Sequence, residues 1–245
     1  MRTLTVVTPQ GCDCPKYDYA HPHHRVAYTF HWSFGNGKLA KDGTISFGLP
    51  AWRSAEGFRT CPQASACAAV CYARQYRYRM PRVARPREHN LAWLRSHSDA
   101  AFTEAAVADL RAMHRAWQRV RIHDSGDFFR ASYLDAWIAV AAQLPALQFY
   151  GYTKMIRLLQ RQRLQGRIPP NLRLVQSVGG KEDAWIDRTE PHSIIFRDHA
   201  SLHDAGYVDA TASDAPVYGG AIRIGLVYHG ERHLTPARAR RLQRA

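Results

Sequence analysis

Three cysteines, Cys61, Cys67 and Cys71, stand within the stretch TCPQASACAAVC, spaced Cys-x5-Cys-x3-Cys. Thiols gathered this closely suit a soft or borderline metal or a redox centre. Structural zinc takes four ligands, commonly as two closely spaced cysteine pairs. The x3 pair here suits half of such a site, the x5 gap is wide for one, and a fourth ligand would come from Cys12, Cys14 or a histidine. Alternatively, three thiolates hold three irons of a [4Fe–4S] cluster and leave the fourth iron open to a substrate or cofactor. Pro62, Gln63, Ser65 and the short alanines around these cysteines do not make an inert core. The chain has five cysteines, an odd number that does not close a disulfide framework.

Other groups lie within chemical reach. The segment IHDSGDFF offers His123, Asp124 and Asp127 as an acid–base constellation. The plainer reading of His123 is a hydrogen-bonded histidine at a strand end. Lys154 follows FYGYT and suits substrate binding or a Schiff base; the plainer reading is a helix-start cation near solvent. His21, His23 and His24, with Cys12 and Cys14, make a short His/Cys tract but no complete ligand pattern. Between Cys71 and Arg87, arginines alternate with tyrosines, and Arg74, Tyr76, Arg77, Tyr78 and Arg79 form the densest part. Arginine pairs with phosphate and tyrosine stacks on bases. The charge balance agrees, with 34 Lys and Arg against 20 Asp and Glu, a net +14. It predicts an anionic partner, with RNA and DNA as candidates, although a solvated basic surface with inward-facing tyrosines explains the same pattern.

The elements that position these groups follow from periodicity. VAYTFHWSF and TISFGLP read as two strands around the Gly-containing turn GNGK. From Pro86 to Arg119 the apolar residues Leu91, Leu94, Phe102, Val107, Leu110, Met113 and Trp117 recur at helical spacing, with a break at SHSD. RVRI is a strand running into the polar DSGD loop. Residues 131–143 form an amphipathic helix with Leu134, Trp137, Ile138 and Ala141 on one face. Then strand and helix alternate: LQFYGYT, KMIRLLQRQRLQG, NLRLVQSV, the polar connection GGKEDAWIDRTEP, HSIIFRDH, a short ASLHDAG turn or helix, and AIRIGLVYH. Such alternation predicts an α/β fold with parallel pairing. The expected architecture is a partial (β/α) barrel of about six mostly parallel strands, the alternative being an open doubly wound sheet. Both collect functional groups at the C-terminal ends of strands. The expected organisation is an irregular lead-in over 1–27, one α/β domain over 28–230 and a basic tail over 231–245. No segment approaches the ~20 apolar residues of a membrane helix, and the apolar run at the N-terminus is too short for a signal peptide. The expectation is a cytoplasmic protein.

A strand, a loop with three clustered cysteines, a helix and further β/α units resemble the radical S-adenosylmethionine (AdoMet) superfamily. In that superfamily three thiolates hold a [4Fe–4S] cluster and the open iron takes the amino and carboxylate groups of AdoMet. Reductive cleavage then yields methionine and a 5′-deoxyadenosyl radical that abstracts hydrogen from substrate. The usual spacing there is Cys-x3-Cys-x2-Cys with an aromatic just before the third cysteine. Here the gaps are wider and Tyr72 follows the third. The resemblance implies that Cys61, Cys67 and Cys71 ligate the cluster, that Ser125, Gly126 and Asp127 hold the AdoMet amino group, and that Ser177 meets the ribose. It also implies an electron donor such as a ferredoxin or flavodoxin, and radical modification of an anionic or nucleic-acid substrate. DSGDFF further resembles the DSGGF strand end of tRNA-guanine transglycosylases, whose zinc cysteines come late in the chain rather than early. Together, TCPQASAC, CYA, RIHDSGDFF, FYGYTK and IGLVYHG resemble a family of phage and bacterial proteins known as a phage gene product, over roughly residues 28–230. That resemblance implies the fold and the cluster rather than a reaction. Two rival functions stay open: a non-catalytic zinc protein that binds nucleic acid, and a cluster protein that uses its open iron as a Lewis acid without AdoMet.

Overall fold

The computed structural model describes residues 28–34, 37–113 and 117–228. Cys12, Cys14, the histidines at 21–24, His229 and the basic tail lie outside the described residues. Among the described residues, eight strands form one sheet: β1 (Trp32–Ser33), β2 (Thr44–Phe47), β3 (Arg119–Ile122), β4 (Gln148–Thr153), β5 (Leu172–Ser177), β6 (His192–Phe196), β7 (Val208–Asp209) and β8 (Arg223–Val227). Their order is β1-β2-β3-β4-β5-β6-β8-β7. β1 pairs antiparallel to β2 with Trp32 opposite Phe47, and every other pairing is parallel. Neighbours follow chain order from β1 to β6, so the chain winds steadily in one direction across the sheet.

The helices are α1 (Gly37–Lys41), α2 (Ala66–Val70), α3 (Pro81–Ser96), α4 (Asp99–Met113), α5 (Ala131–Gln143), α6 (Ile156–Leu164), α7 (His199–Asp204) and α8 (Ala215–Tyr218). The SHSD break is real. α3 ends at Ser96, and the Ser98 hydroxyl accepts the Ala101 N–H at 3.1 Å, capping α4. Pro81 opens α3, where its missing N–H costs nothing. α3 therefore starts earlier than Pro86. Ahead of it, Tyr72–Arg74 and Tyr76–Arg79 are two short 3-10 turns rather than the start of a helix.

Strand alternation sorts the side chains onto two faces. Ile45, Phe47, Val120, Ile122 and Phe149 join Phe102, Leu110, Tyr133, Leu134 and Trp137 from α4 and α5 in the main core. Gly151 belongs here by necessity: a Cβ would sit 2.7 Å from the Ile122 carbonyl oxygen. On the opposite face Tyr150, Val175, Ala210, Val217 and Ile224 form a smaller cluster under α8. Contacts across the two ends of the sheet complete that face. Lys38 Nζ reaches the Ala210 carbonyl at 2.7 Å and Asp214 at 2.7 Å, and Ser213 Oγ donates to Asp42 at 3.0 Å. β7 and α8 were not expected from the sequence. Elements of two and four residues show no periodicity.

Candidate metal centre

Cys61, Cys67 and Cys71 are free thiols, all partly buried, on the long connection that leaves the C-terminal end of β2. Cys67 lies in α2, and Cys71 caps its C-terminal end. The loop is stitched to the connection after β5. Cys67 N donates to the Gly179 carbonyl at 3.1 Å and Lys181 N to the Gln63 carbonyl at 2.8 Å. Ala64 and Gly180 form an isolated bridge. Gly180 must be bare, since a Cβ would lie 3.0 Å from the Gln63 oxygen and 3.2 Å from Lys154 Cβ. Asp183 receives the N–H groups of Gly179 and Gly180, both at 2.8 Å, and fixes that turn. The GGKED segment, expected only as a polar connection, thus holds the cysteine loop in place.

Burial pushes the Cys61 thiol up to about 12, and the neighbouring Asp127 charge adds to the rise. Burial also raises Cys71, against the pull of Lys154 and Arg74. Cys71 interacts electrostatically with both other thiols. Thiols that resist ionisation by themselves become good ligands once a cation compensates them. Among the described residues, the one set of Cys, His, Asp or Glu whose ligand atoms all lie within 4.8 Å of one another is His199, His203 and Asp209. The three sulfurs are spread more widely than that.

The DSGD segment sits directly beside the loop. Asp127 is buried, and its carboxylate accepts Thr153 Oγ1 at 2.6 Å, Lys154 N at 2.9 Å and Phe128 N at 2.7 Å. Burial nonetheless holds its pKa above the usual range. Ser125 Oγ donates to the Leu49 carbonyl at 2.6 Å and accepts Arg87 Nε at 2.9 Å. Gly126 has φ +87°, and a Cβ there would lie 2.6 Å from Leu49 Cβ. Leu49 N in turn donates to the Ser125 carbonyl at 2.9 Å. These three residues form a joint between the ends of β2, β3 and β4. Lys154 Nζ donates to Ser177 Oγ at 2.7 Å and to the Val178 carbonyl at 3.0 Å. Two residues expected at the site, Lys154 and Ser177, are therefore brought together.

Asp124 pairs with Arg87, receives Tyr78 Oη at 3.2 Å, and its backbone carbonyl takes the Tyr72 hydroxyl. Its other oxygen lies over Gly48, where a Cβ would come within 2.3 Å. His123 lies in the packed interior. It is buried with φ +61°, its ring touches Phe47, Phe128 and Trp137, and Nε2 bonds the Tyr133 hydroxyl at 3.0 Å. Burial lowers its pKa to about 3. It faces the rings of the main core. Tyr78 is placed differently from its neighbours in the run. It turns inward beneath Arg87, whose guanidinium carbon lies 4.6 Å from the ring centre. Arg74, Tyr76, Arg77 and Arg79 are exposed, and Arg74 lies 4.5 Å over the Trp52 ring.

The sequence reading missed the charges on the sheet face below. Asp214 is fully buried and joins Lys38, Arg121 at 3.0 Å and the Tyr150 hydroxyl at 2.9 Å. Burial opposes its ionisation, but Arg121 and Lys38 hold its pKa below the ordinary range. Tyr72 comes within electrostatic reach of Arg121, Asp124 and Asp214, linking this face to the cysteine loop. Ser46 Oγ, Arg121 Nε and Tyr152 Oη are buried here without a hydrogen-bond partner. The alternation in RVRI put Arg119 and Arg121 on one face. No local signal joined Arg121 to Asp214, 93 residues away.

The model of the family described as Gene product 88 matches residues 31–243. The Gene 88 protein of Mycobacterium phage L5 is 36% identical over 118 residues, covering 45% of this chain and 47% of that protein. The Gene 88 protein of Mycobacterium phage D29 is 35% identical over 118 residues, with the same coverage of 45% and 47%. The matched segment thus spans about half the length of these relatives. No solved structure matches. No helix among the described residues is long and apolar enough to cross a membrane. With its match running from β1 past β8, the chain belongs to the Gene product 88 family.

Proposed function

We propose that this chain is a cytoplasmic iron–sulfur protein of the radical-AdoMet type, built as a partial (β/α) barrel, with a [4Fe–4S] cluster on Cys61, Cys67 and Cys71. The observation that carries the reading is the set of three free, partly buried and electrostatically coupled thiols on one loop at the C-terminal edge of a parallel sheet. The Cys-x5-Cys-x3-Cys spacing, wide for a zinc pair, favours a cluster over a single ion. The consecutive strand order and the Lys38–Asp214 and Ser213–Asp42 ties between the sheet's two ends support a curled sheet.

When bound, such a cluster supplies a one-electron centre with one open, Lewis-acidic iron. The chain's own residues position it. Gly179 and Gln63 anchor the loop, Lys154 is held by Ser177 next to Cys71, and Asp127 locks the strand ends behind Cys61. Ser46, Arg121 and Tyr152 offer polar atoms on the same face as Tyr150 and Asp214, suited to a polar substrate group. Exposed Arg74, Tyr76, Arg77 and Arg79 favour RNA or DNA as the partner. A radical reaction requires a low-potential donor such as a ferredoxin or flavodoxin.

One part of the AdoMet assignment fits poorly. The Ser125 hydroxyl donates to Leu49 and accepts Arg87, and the buried Asp127 carboxylate already accepts three donors, which leaves it about one acceptor site for an ammonium. That observation favours a second reading, in which a ligand other than AdoMet occupies the open iron. Anaerobic purification tests the cluster. The expected result is a brown protein with equal iron and sulfide, lost in Cys61→Ala, Cys67→Ala and Cys71→Ala; a colourless protein with one zinc and no sulfide overturns it. Reducing the loaded protein with AdoMet then separates the two readings. 5′-Deoxyadenosine supports the radical type, and an intact, reduced cluster that yields none supports the Lewis-acid reading.

A further inference from the structure

A second set of ligands lies at the far end of the sheet. His199 and His203 are four residues apart on α7 and share one face of that helix. Asp209, at the end of β7, comes up beside them. One ligand atom from each lies within 4.8 Å of the other two. His199 Nδ1 and Asp209 Oδ2 are 2.6 Å apart. The other Asp209 oxygen accepts the Thr211 N–H at 2.7 Å, which fixes the carboxylate and leaves Oδ2 toward the imidazoles. The nearest surface cation in sequence, Arg197, is drawn off by Asp198 at 2.7 Å. The His199 side chain is 62% exposed and that of Asp209 23%. The set is therefore open to solvent on one side.

From this geometry we propose that His199, His203 and Asp209 form a binding site for zinc or another first-row divalent ion, separate from the cysteine loop. Two imidazoles and one carboxylate select a borderline transition ion over calcium or magnesium, which prefer all-oxygen sites. Three protein ligands leave coordination positions for water or a small donor. The ion joins α7 to β7, a strand of two residues with Val208 half-exposed, and so pins this edge of the sheet. Ion binding to the folded form alone raises its stability by mass action.

Cobalt(II) titration of the full chain tests this independently of the cluster, because ligation by nitrogen and oxygen gives visible bands without the near-ultraviolet charge transfer of cobalt–thiolate bonds. The expected result is one cobalt with that signature, and a melting temperature raised by zinc. His203→Ala and Asp209→Asn each weaken the ion by about tenfold or more and abolish the thermal shift, with unchanged folding at these surface positions. Histidines 21, 23 and 24 are present in every variant, so the reading is the difference between wild type and variant. The same ion count and affinity in His199→Ala/His203→Ala as in wild type overturns the proposal.

Discussion

The two faces of the β-sheet are built from the same strands to opposite ends. On one, Phe47, Val120, Ile122 and Phe149 meet Phe102 and Trp137 in an aromatic core, with edge-to-face pairs at centroid distances of 5.2–6.0 Å. On the other, residues one position along carry Ser46, Arg121, Tyr150 and Tyr152, closed below by Lys38 and Asp214. The aromatic face gains free energy from area and packing. The charged face recovers little, since burying ions costs about what their pairing returns. A chain selected for stability alone would line both faces with apolar groups. This one keeps buried charges beneath the cysteine loop, on the face where the proposed site lies.

The sharpest way to break the comparison is to substitute each face in turn. Asp214→Ala leaves Arg121 and Lys38 buried without their counter-charge, an expected loss of about 3–5 kcal/mol. Phe102→Ala on the aromatic face costs a similar ~3–5 kcal/mol through its cavity. The faces part company on conversion to apolar residues. The triple variant Lys38→Met/Arg121→Met/Asp214→Leu is expected to be as stable as wild type or more so. Urea unfolding of the three variants reads this. A triple variant as weak as Asp214→Ala would mean that the charges hold the fold.

Next in size is the joint between the faces. Gly126→Ala adds a Cβ at φ +87° and 2.6 Å from Leu49 Cβ. Left-handed strain and overpacking together make about 2–4 kcal/mol. Because Ser125 and Asp127 move with it, retention of the proposed cluster is expected to fall along with the unfolding midpoint.

A smaller, pH-dependent effect belongs to His123. Burial lowers its folded pKa to about 3, against ~6.5 in the unfolded chain. Between those values the unfolded chain takes up a proton that the folded one refuses. The contribution of neutral His123 is complete above pH ~6.5 and is lost as pH falls toward 3, by up to ~1.4 kcal/mol per pH unit. His123→Asn tolerates the positive φ and carries no such proton. Its stability difference between pH 7 and pH 5 should be smaller than that of wild type. His192, also lowered by burial, contributes equally to both proteins and cancels. An unchanged difference would place His123 in contact with water.

How much of this was legible follows the range of the interactions. The strands from RVRI to HSIIF and the break at SHSD rest on local periodicity and capping, and the structure has them. The DSGD segment was legible as important but not in its role. Whether Asp127 meets a ligand or three donors from the ends of β3 and β4 depends on residues up to 27 apart. His123 pointed to chemistry by type, while its orientation was decided by Tyr133 and the surrounding rings. Asp214 sits in a short polar stretch with no pattern of its own, and only the tertiary fold brings it to Arg121, 93 residues away.

The smallest stability effect carries the clearest functional contrast. Arg77 and Arg79 are exposed on the turns after the cysteine loop. Arg87 shares the same arginine run but lies inside, between Asp124, Ser125 and the Tyr78 ring. Arg77→Ala/Arg79→Ala should change unfolding by no more than about 0.5 kcal/mol per site. If these side chains meet phosphates, the variant weakens binding to a short RNA or DNA similarly across sequences, and the slope of log K against log salt drops by about 1 for each phosphate left without its arginine. Arg87→Ala should do the reverse, lowering stability by leaving Asp124 unpaired while the salt slope stays put. Equal salt slopes in wild type and the double variant would remove the exposed turns from any nucleic-acid surface and leave their charge as solvation alone.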